Sequence, residues 1–138
     1  MRDLTPRRLL LVSADLMAAT RLASVVRGLG HALDVRSVGA IPAAGAGYDV
    51  VLIDVQSCPD PSEAIGRGRA AAAALGKVIA FGPHVWKEQL EAAVAAGADT
   101  AASRGEVMEG LAGLLGRVAP ETSERVAQVF NLRGPDTG

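Results

Sequence analysis

Residues 48–55 read YDVVLIDV, an apolar and mostly branched run with one carboxylate near its end, Asp54. An acid placed where a buried strand surfaces is either a reactive group or a local fastener that caps a helix or steadies a turn. Position alone leaves both readings open. A reactive acid needs neighbours, and the other residue types that do chemistry are few. Ser13, Asp54 and His84 have the composition of a hydrolytic triad, but no G-x-S-x-G elbow accompanies them. His84 stands beside Pro83 at an expected helix start, and His31 follows Gly30 in an expected turn, so both read as surface residues. Two distant histidines and the single cysteine, Cys58, give no metal-ligand spacing. The GRGR stretch at 66–69 reads as a solvated helix face, and no Gly-rich phosphate loop follows the first apolar run. The expectation is a chain that is not an enzyme and holds neither metal nor cofactor.

The elements that would position Asp54 can be read from the hydrophobic periods. Leu9–Ser13 is a short buried strand, and Asp15 then offers an N-cap. Leu16, Ala19, Ala23, Val26 and Leu29 recur at helical spacing, and Gly28 and Gly30 end that helix. Ala32–Val38 alternates as an edge strand with Asp34 and Arg36 on its exposed side. GAIPAAGAG at 39–47 leaves room for little helix. Val50–Asp54 is the third strand, stopped by Pro59 and Pro61. Ser62 is the expected cap of a helix through EAIGRGRAAAAALG, with Ile65, Ala72 and Leu75 on its face. Gly66 and Gly68 each weaken this helix by about 1 kcal/mol.

Val78–Phe81 is a fourth strand. Pro83 opens a helix carrying Trp86, Leu90, Ala93, Val94 and Gly97, and Thr100–Ser103 is a fifth strand. Val107, Leu111, Leu114, Leu115 and Val118 mark a further helix, broken by Pro120. Thr122 or Ser123 then caps a last amphipathic stretch with Val126, Val129 and Phe130 on one side. Alternating apolar strands and helices predict an α/β fold: one doubly wound, five-stranded parallel sheet in the flavodoxin-like order 2-1-3-4-5. Its second helix is shortened or missing, and an extra helix follows at the C-terminus. In such sheets chemistry sits beyond the C-terminal strand ends, where Ser13, Asp54, Gly82 and Ser103 or Arg104 would meet.

The totals agree with a single domain of this kind. The chain has 138 residues, 49% of them hydrophobic but only 3% aromatic, so its core is built from Leu, Val, Ile and Ala. A net charge of −1 provides no field to attract nucleic acid or an anionic membrane. The apolar run after Arg7 and Arg8 is too short for a signal peptide, and nothing is long enough for a membrane span, so a cytoplasmic protein is expected.

YDVVLIDV with its Pro-containing loop resembles the phosphoacceptor strand of response-regulator receiver domains. AAVAAGADTAASRG at 92–105 resembles their AGAD segment, LLLVSAD at 9–15 their first strand, and KVIAFGPHVW at 77–86 their fourth. The resemblance covers residues 7–118 and divides the chain into a receiver-like unit, 1–119, and an extension, 120–138. It implies that Asp54 stands where the family's acid attacks a phosphoryl group. The two acids that hold Mg²⁺ in the family align with Ser13 and Ala14, and Asp15 takes the next position. The family's hydroxyl aligns with Gly82, its lysine with Arg104, and the proline after that lysine with Gly105.

Arg104 then either pairs with Asp54 across the metal position or points to solvent. The resemblance implies a signalling domain that acts on a protein partner, independently of Mg²⁺-dependent phosphorylation, through residues 84–118. Trp86, Leu90, Val107 and Leu111 are the expected contact residues, and a homodimer is one form such a contact takes. Two other readings stand beside it: a working phosphoacceptor that uses Asp15 for the metal, and a flavodoxin-like small-ligand module.

Overall fold

The computed structural model describes residues 6–117, in the order β1 Arg8–Val12, α1 Leu16–Gly28, β2 Ala32–Arg36, β3 Tyr48–Asp54, α2 Pro61–Ala71, β4 Ala72–Gly82, α3 Lys87–Ala95, β5 Thr100–Ser103 and α4 Arg104–Arg117. The five strands form one parallel sheet in the order β2-β1-β3-β4-β5, which is the expected topology. The extra C-terminal helix and the 120–138 extension lie outside the described residues.

The strands alternate their side chains between two layers. Leu9, Leu11, Val50, Leu52, Ile79 and Phe81 face α1 and α4. Leu10, Val12, Val51, Ile53, Val78 and Ala80 face α2 and α3. The three central strands are therefore apolar at every step and fully buried from Val50 to Ile53 and from Val78 to Phe81.

The missing helix between β2 and β3 explains the polar face of β2. Only a 3-10 turn, Val38–Ala40, stands in its place, and the loop drapes Ile41 over the layer. Leu33 and Val35 still pack toward α1, while Ala32 and Arg36 on the other side are exposed. Asp34, on that side, accepts a 2.6 Å hydrogen bond from the Tyr48 hydroxyl. The loop is held by the end of α2: Gly45 and Gly47, both at positive φ, donate to the carbonyls of Ala70 and Ala71. Arg67 donates to the Val38 carbonyl at 3.1 Å.

Three boundaries differ from the sequence reading. The cap of α2 is Asp60, whose carboxylate accepts from the Glu63 N–H, with Pro61 in the first turn; Ser62 already lies inside the helix. The helix ends at Ala71, so Ala72 and Leu75 leave its face and Leu75 is 61% exposed. The reason lies in the strand pairing, where Tyr48 pairs with Ala72 but Val50 pairs with Lys77, so Ala73–Gly76 loops out of β4. Gly76 is the hinge: a Cβ there would lie 2.6 Å from the Tyr48 carbonyl oxygen. The third difference is at Pro83, which opens a turn closed by the Trp86 N–H, and α3 begins only at Lys87.

The AGAD segment is a fastener. Gly97 takes φ +124°, and Asp99 then exchanges two bonds with Val78: N–H to carbonyl at 2.8 Å, and Val78 N–H to carboxylate at 2.8 Å. Arg69 completes the site as an ion pair with Asp99. Both arginines of the GRGR stretch are thus engaged within the chain.

The two glycines of α2 should respond oppositely to substitution. Nothing lies within 4 Å of a Cβ at Gly66, so Gly66→Ala should stabilise by about 0.5–1 kcal/mol. At Gly68 a Cβ would meet the buried Ile53 at 2.8 Å and Val51 at 3.2 Å. Gly68→Ala should therefore destabilise by about 1 kcal/mol or more. Thermal melts of the two variants read the opposite signs directly.

Candidate functional site

Three connections place the expected residues together at the C-terminal ends of β1, β3 and β5. Asp54 closes β3, and its side chain caps a 3-10 turn, Val55–Ser57, by accepting from the Gln56 N–H. Ser13 follows β1, and Asp15 caps α1 by accepting from the N–H groups of Met17 and Ala18. Arg104 opens α4. That helix starts with a reciprocal capping box: Ser103 N–H donates to Glu106 Oε1 at 2.8 Å, and Glu106 N–H to Ser103 Oγ at 3.1 Å. The box fixes Arg104 in the first turn, aimed back across the strand ends.

Asp54 is 1% exposed, and both of its carboxylate oxygens are engaged. Oδ2 accepts from Ser13 Oγ at 2.8 Å, Ser57 Oγ at 3.1 Å and Arg104 Nη1 at 3.4 Å. Oδ1 accepts from the Gln56 N–H at 3.1 Å. The two hydroxyls are themselves held, since Ser13 Oγ accepts from the Asp15 N–H and Ser57 Oγ from the Ala14 N–H. Each hydroxyl thus passes a backbone donor of the β1–α1 loop on to the buried acid.

Arg104 bridges this network to the surface. Its Nη2 pairs with Asp15, its Nη1 also donates to Gln56 Oε1 at 3.3 Å, and its guanidinium lies 5.9 Å from the Phe81 ring centroid. The Ala18 backbone N–H, reinforced by the Arg104 guanidinium, holds the Asp15 carboxyl below the usual carboxylate range. Of the two readings left open for Arg104, the geometry has the one that meets Asp54. Of the two for Asp54, it has the capping role, with three further donors on the other oxygen.

The remaining residues of the pocket are closed or quiet. A Cβ at Gly82 would lie 2.8 Å from Val55 Cγ2, so the strand end after β4 carries no hydroxyl and has no room for one unless Val55 moves. Cys58 is buried, and burial together with the Asp54 charge pushes its thiol up to about 11. It donates weakly to the Asp54 carbonyl at 3.4 Å. His84 is exposed and bonds neither Ser13 nor Asp54, so no triad is assembled. His31 accepts from the Arg7 N–H at 2.9 Å, a fastener of the chain entering β1.

The expected partner surface needs correction. Val107 and Leu111 are 0% and 2% exposed, because the inner face of α4 packs on the sheet. Trp86 and Leu90 are partly buried against the α2–α3 layer. The groove between α3, β5 and α4 keeps Leu90 of the expected residues and is otherwise lined by His84, Lys87, Glu91, Val94 and Glu106. Sequence reading missed Ser57 and the Ser103–Glu106 box. The S-x-x-E spacing was a visible signal for the box; nothing marked Ser57.

No protein-family model matches the chain, and no curated protein matches it by sequence. Solved structures do match. A two-component response regulator from Clostridium difficile superposes with a TM-score of 0.67 at 14% identity, over 81% of this chain and 94% of that one. The receiver domain of a Pseudomonas aeruginosa sensor histidine kinase, solved with a magnesium ion coordinated in its active-site cleft, gives 0.63 at 20% identity, over 82% and 97%. A chemotaxis response regulator of Vibrio cholerae gives 0.63 at 16%, over 83% and 99%. The chain has the fold of response-regulator receiver domains.

Removing the buried acid should be costly. Asp54→Ala strips an acceptor from four donors, and a loss of about 2–3 kcal/mol, on the order of 10 °C in Tm, is expected. A double-mutant cycle with Arg104→Gln should give a coupling of at least about 0.5 kcal/mol. The contribution of Asp15 has a defined pH window. Its folded pKa lies below the unfolded value, so the stability it adds is whole above about pH 4 and is lost as pH falls through the folded value. Asp15→Asn should remove that part of the acid dependence in a pH series of melts.

Proposed function

We propose that this chain is a receiver-fold signalling module that works through protein contacts and is not switched by Mg²⁺-dependent phosphorylation of Asp54. The observation that carries this reading is the carboxylate held from within the chain: Asp54 accepts from Ser13, Ser57, Gln56 and Arg104. An attacking carboxylate needs a free lone pair and a cation beside it. Here Oδ2 is crowded by three donors and Oδ1 by one, and the positive charge beside the acid is a side chain of the protein itself.

The residues present do not fit the metal. Mg²⁺ demands about six oxygen ligands in near-octahedral geometry. The aligned positions offer Ser13, whose hydroxyl is committed to Asp54, and Ala14, which has no oxygen in its side chain. Asp15 holds the α1 cap with one oxygen and Arg104 with the other. Among the described residues no group of three or more His, Cys, Asp or Glu converges. Gly82 supplies no hydroxyl to a transferred phosphoryl group. Each 1.4 kcal/mol of lost transition-state stabilisation is a factor of about ten in rate, so losses of this kind multiply into a very slow acceptor.

Residues 1–119 form the receiver unit in this reading. The partner lies in the same signalling system, and the groove between α3 and α4, with Lys87 and Glu91 at its rim, is the contact face. No helix among the described residues is long and apolar enough to cross a membrane.

Incubation with a small acyl phosphate or phosphoramidate and Mg²⁺, followed by intact mass, tests the proposal. The mass should stay unchanged at times when an ordinary receiver domain run in parallel is fully modified. A stoichiometric phosphoryl gain that Asp54→Asn abolishes would overturn it and favour Asp15 as a metal ligand.

A further inference from the structure

The outer edge of β2 is open, and it lies away from the Asp54 pocket and from the groove between α3 and α4. β2 has β1 as its one sheet neighbour. The Ala32 N–H donates to the Arg7 carbonyl, and the Arg36 carbonyl accepts from the Ser13 N–H, so the even-numbered residues of β2 turn their peptide groups toward β1. Peptide groups alternate in direction along a strand, so those of Leu33, Val35 and the Ser37 N–H point outward. Among the described residues the N–H groups of Leu33, Val35 and Ser37 have no acceptor. The contact made at the Val35 carbonyl is local, a 3.0 Å hydrogen bond donated by Arg36 Nη1. The loop that follows is fastened inward to α2.

The side chains of this edge are complementary to themselves. Asp34 and Arg36 stand two residues apart on one side of the strand, and neither has an ion-pair partner among the described residues. The Tyr48 hydroxyl fixes the Asp34 carboxylate through Oδ2, which leaves Oδ1 to accept from outside. On the other side, Leu33 and Val35 are only partly buried against the α1 layer.

We infer that β2 is the seat of a second copy of this chain, added antiparallel about a two-fold axis through Val35. In that register Val35 exchanges N–H and C=O bonds with the same residue of the second copy, and the Ser37 N–H meets the Leu33 carbonyl. Asp34 falls directly opposite Arg36 of the second copy, and symmetry repeats the pair, with Cβ atoms about 4.5–5.5 Å apart. Arg36 gives up its exposed contact with the neighbouring carbonyl for a carboxylate. Leu33 and Val35 continue the apolar layer across the axis. Other registers fail. An axis through Asp34 sets that acid against itself and uses peptide groups already committed to β1. An axis through Leu33 sets Asp34 against Ala32 and Arg36 against Gly30, and no charge is matched. β5, the opposite edge, reads TAAS and has no charge to select a register. Two-fold addition consumes both β2 edges, so the assembly closes instead of growing. This inference goes beyond the proposed function and does not rest on it.

The test uses the full chain. Sedimentation of the wild type should show a monomer–dimer equilibrium. Arg36→Asp and Asp34→Arg each set like charges opposite one another, and each should weaken the dimer by at least about tenfold. An equimolar mixture of the two variants restores both pairs and should recover it. Amide exchange on the wild type is a readout free of substitutions, and it decides the matter where a reversal fails to fold. The Val35 N–H should exchange several-fold more slowly at high protein concentration than at low. A wild type that stays monomeric, a dimer indifferent to both reversals, a mixture of folded variants that stays monomeric, or Val35 exchange independent of concentration overturns the inference. Val35 protection that appears only when a different protein is added assigns the edge to a foreign strand, and overturns it as well.

Discussion

The guanidinium of Arg104 is the point at which the upper edge of this molecule is closed. It reaches Asp54, which is almost fully buried, and Asp15, which is about two-fifths exposed, and so joins the end of β3 to the start of α1 through the start of α4. A buried carboxylate without partners would be strongly disfavoured in its charged form. Here one cation, two hydroxyls and a backbone N–H surround it. The same contacts offset a local conflict. A cation in the first turn of a helix opposes the helix dipole by roughly 0.3–1 kcal/mol, and two carboxylates beside Arg104 reverse that sign.

The sheet below makes such closure possible. Central strands that are apolar on both sides leave no polar outlet except at their ends, so the acid that ends β3 must find its donors in the loops. Those loops are themselves fixed by local devices: the Asp15 cap, the Asp54 turn and the Ser103–Glu106 box. At the opposite end, the loop that replaces a helix is fastened to α2 by Arg67 and by two glycines at positive φ. The absent helix leaves the molecule's framework intact because β2 already presents a polar face there.

Most of the framework was legible because it rests on periodicity and punctuation. Runs such as LLLV and VVLI are too short for helices and read as doubly buried strands, and the Gly and Pro clusters separate them cleanly. What stayed hidden depends on register. Ala70–Leu75 has the composition of a helix, yet pairing of Tyr48 with Ala72 pulls the chain into β4 and exposes Leu75. Helix propensity yields there to a ladder that the sequence does not announce. The site was half legible. Ser13, Asp54 and Arg104 were placed at this edge by strand order and Asp15 beside them as the cap of the first helix, but Ser57 was invisible because its role comes from the geometry of a single turn. Val107 and Leu111 show the reverse error: a surface borrowed from resemblance named residues that the period of α4 turns inward.

The choice of arginine at position 104 bears on what kind of switch this edge can be. A lysine would present a compact ammonium to one partner at a time and would yield readily to a competing ion. The planar guanidinium instead presents separate N–H groups to Asp54, Asp15 and Gln56. Opening the pocket would then require breaking several charge-assisted contacts together, and would leave Asp54 buried with only neutral donors. A hollow beside Leu16 and Met17 borders Arg104 from the solvent side, where Asp15 is accessible. That wall, where Asp15 and Arg104 are partly exposed, is the side from which the ion pair beside Asp54 is reached from solvent.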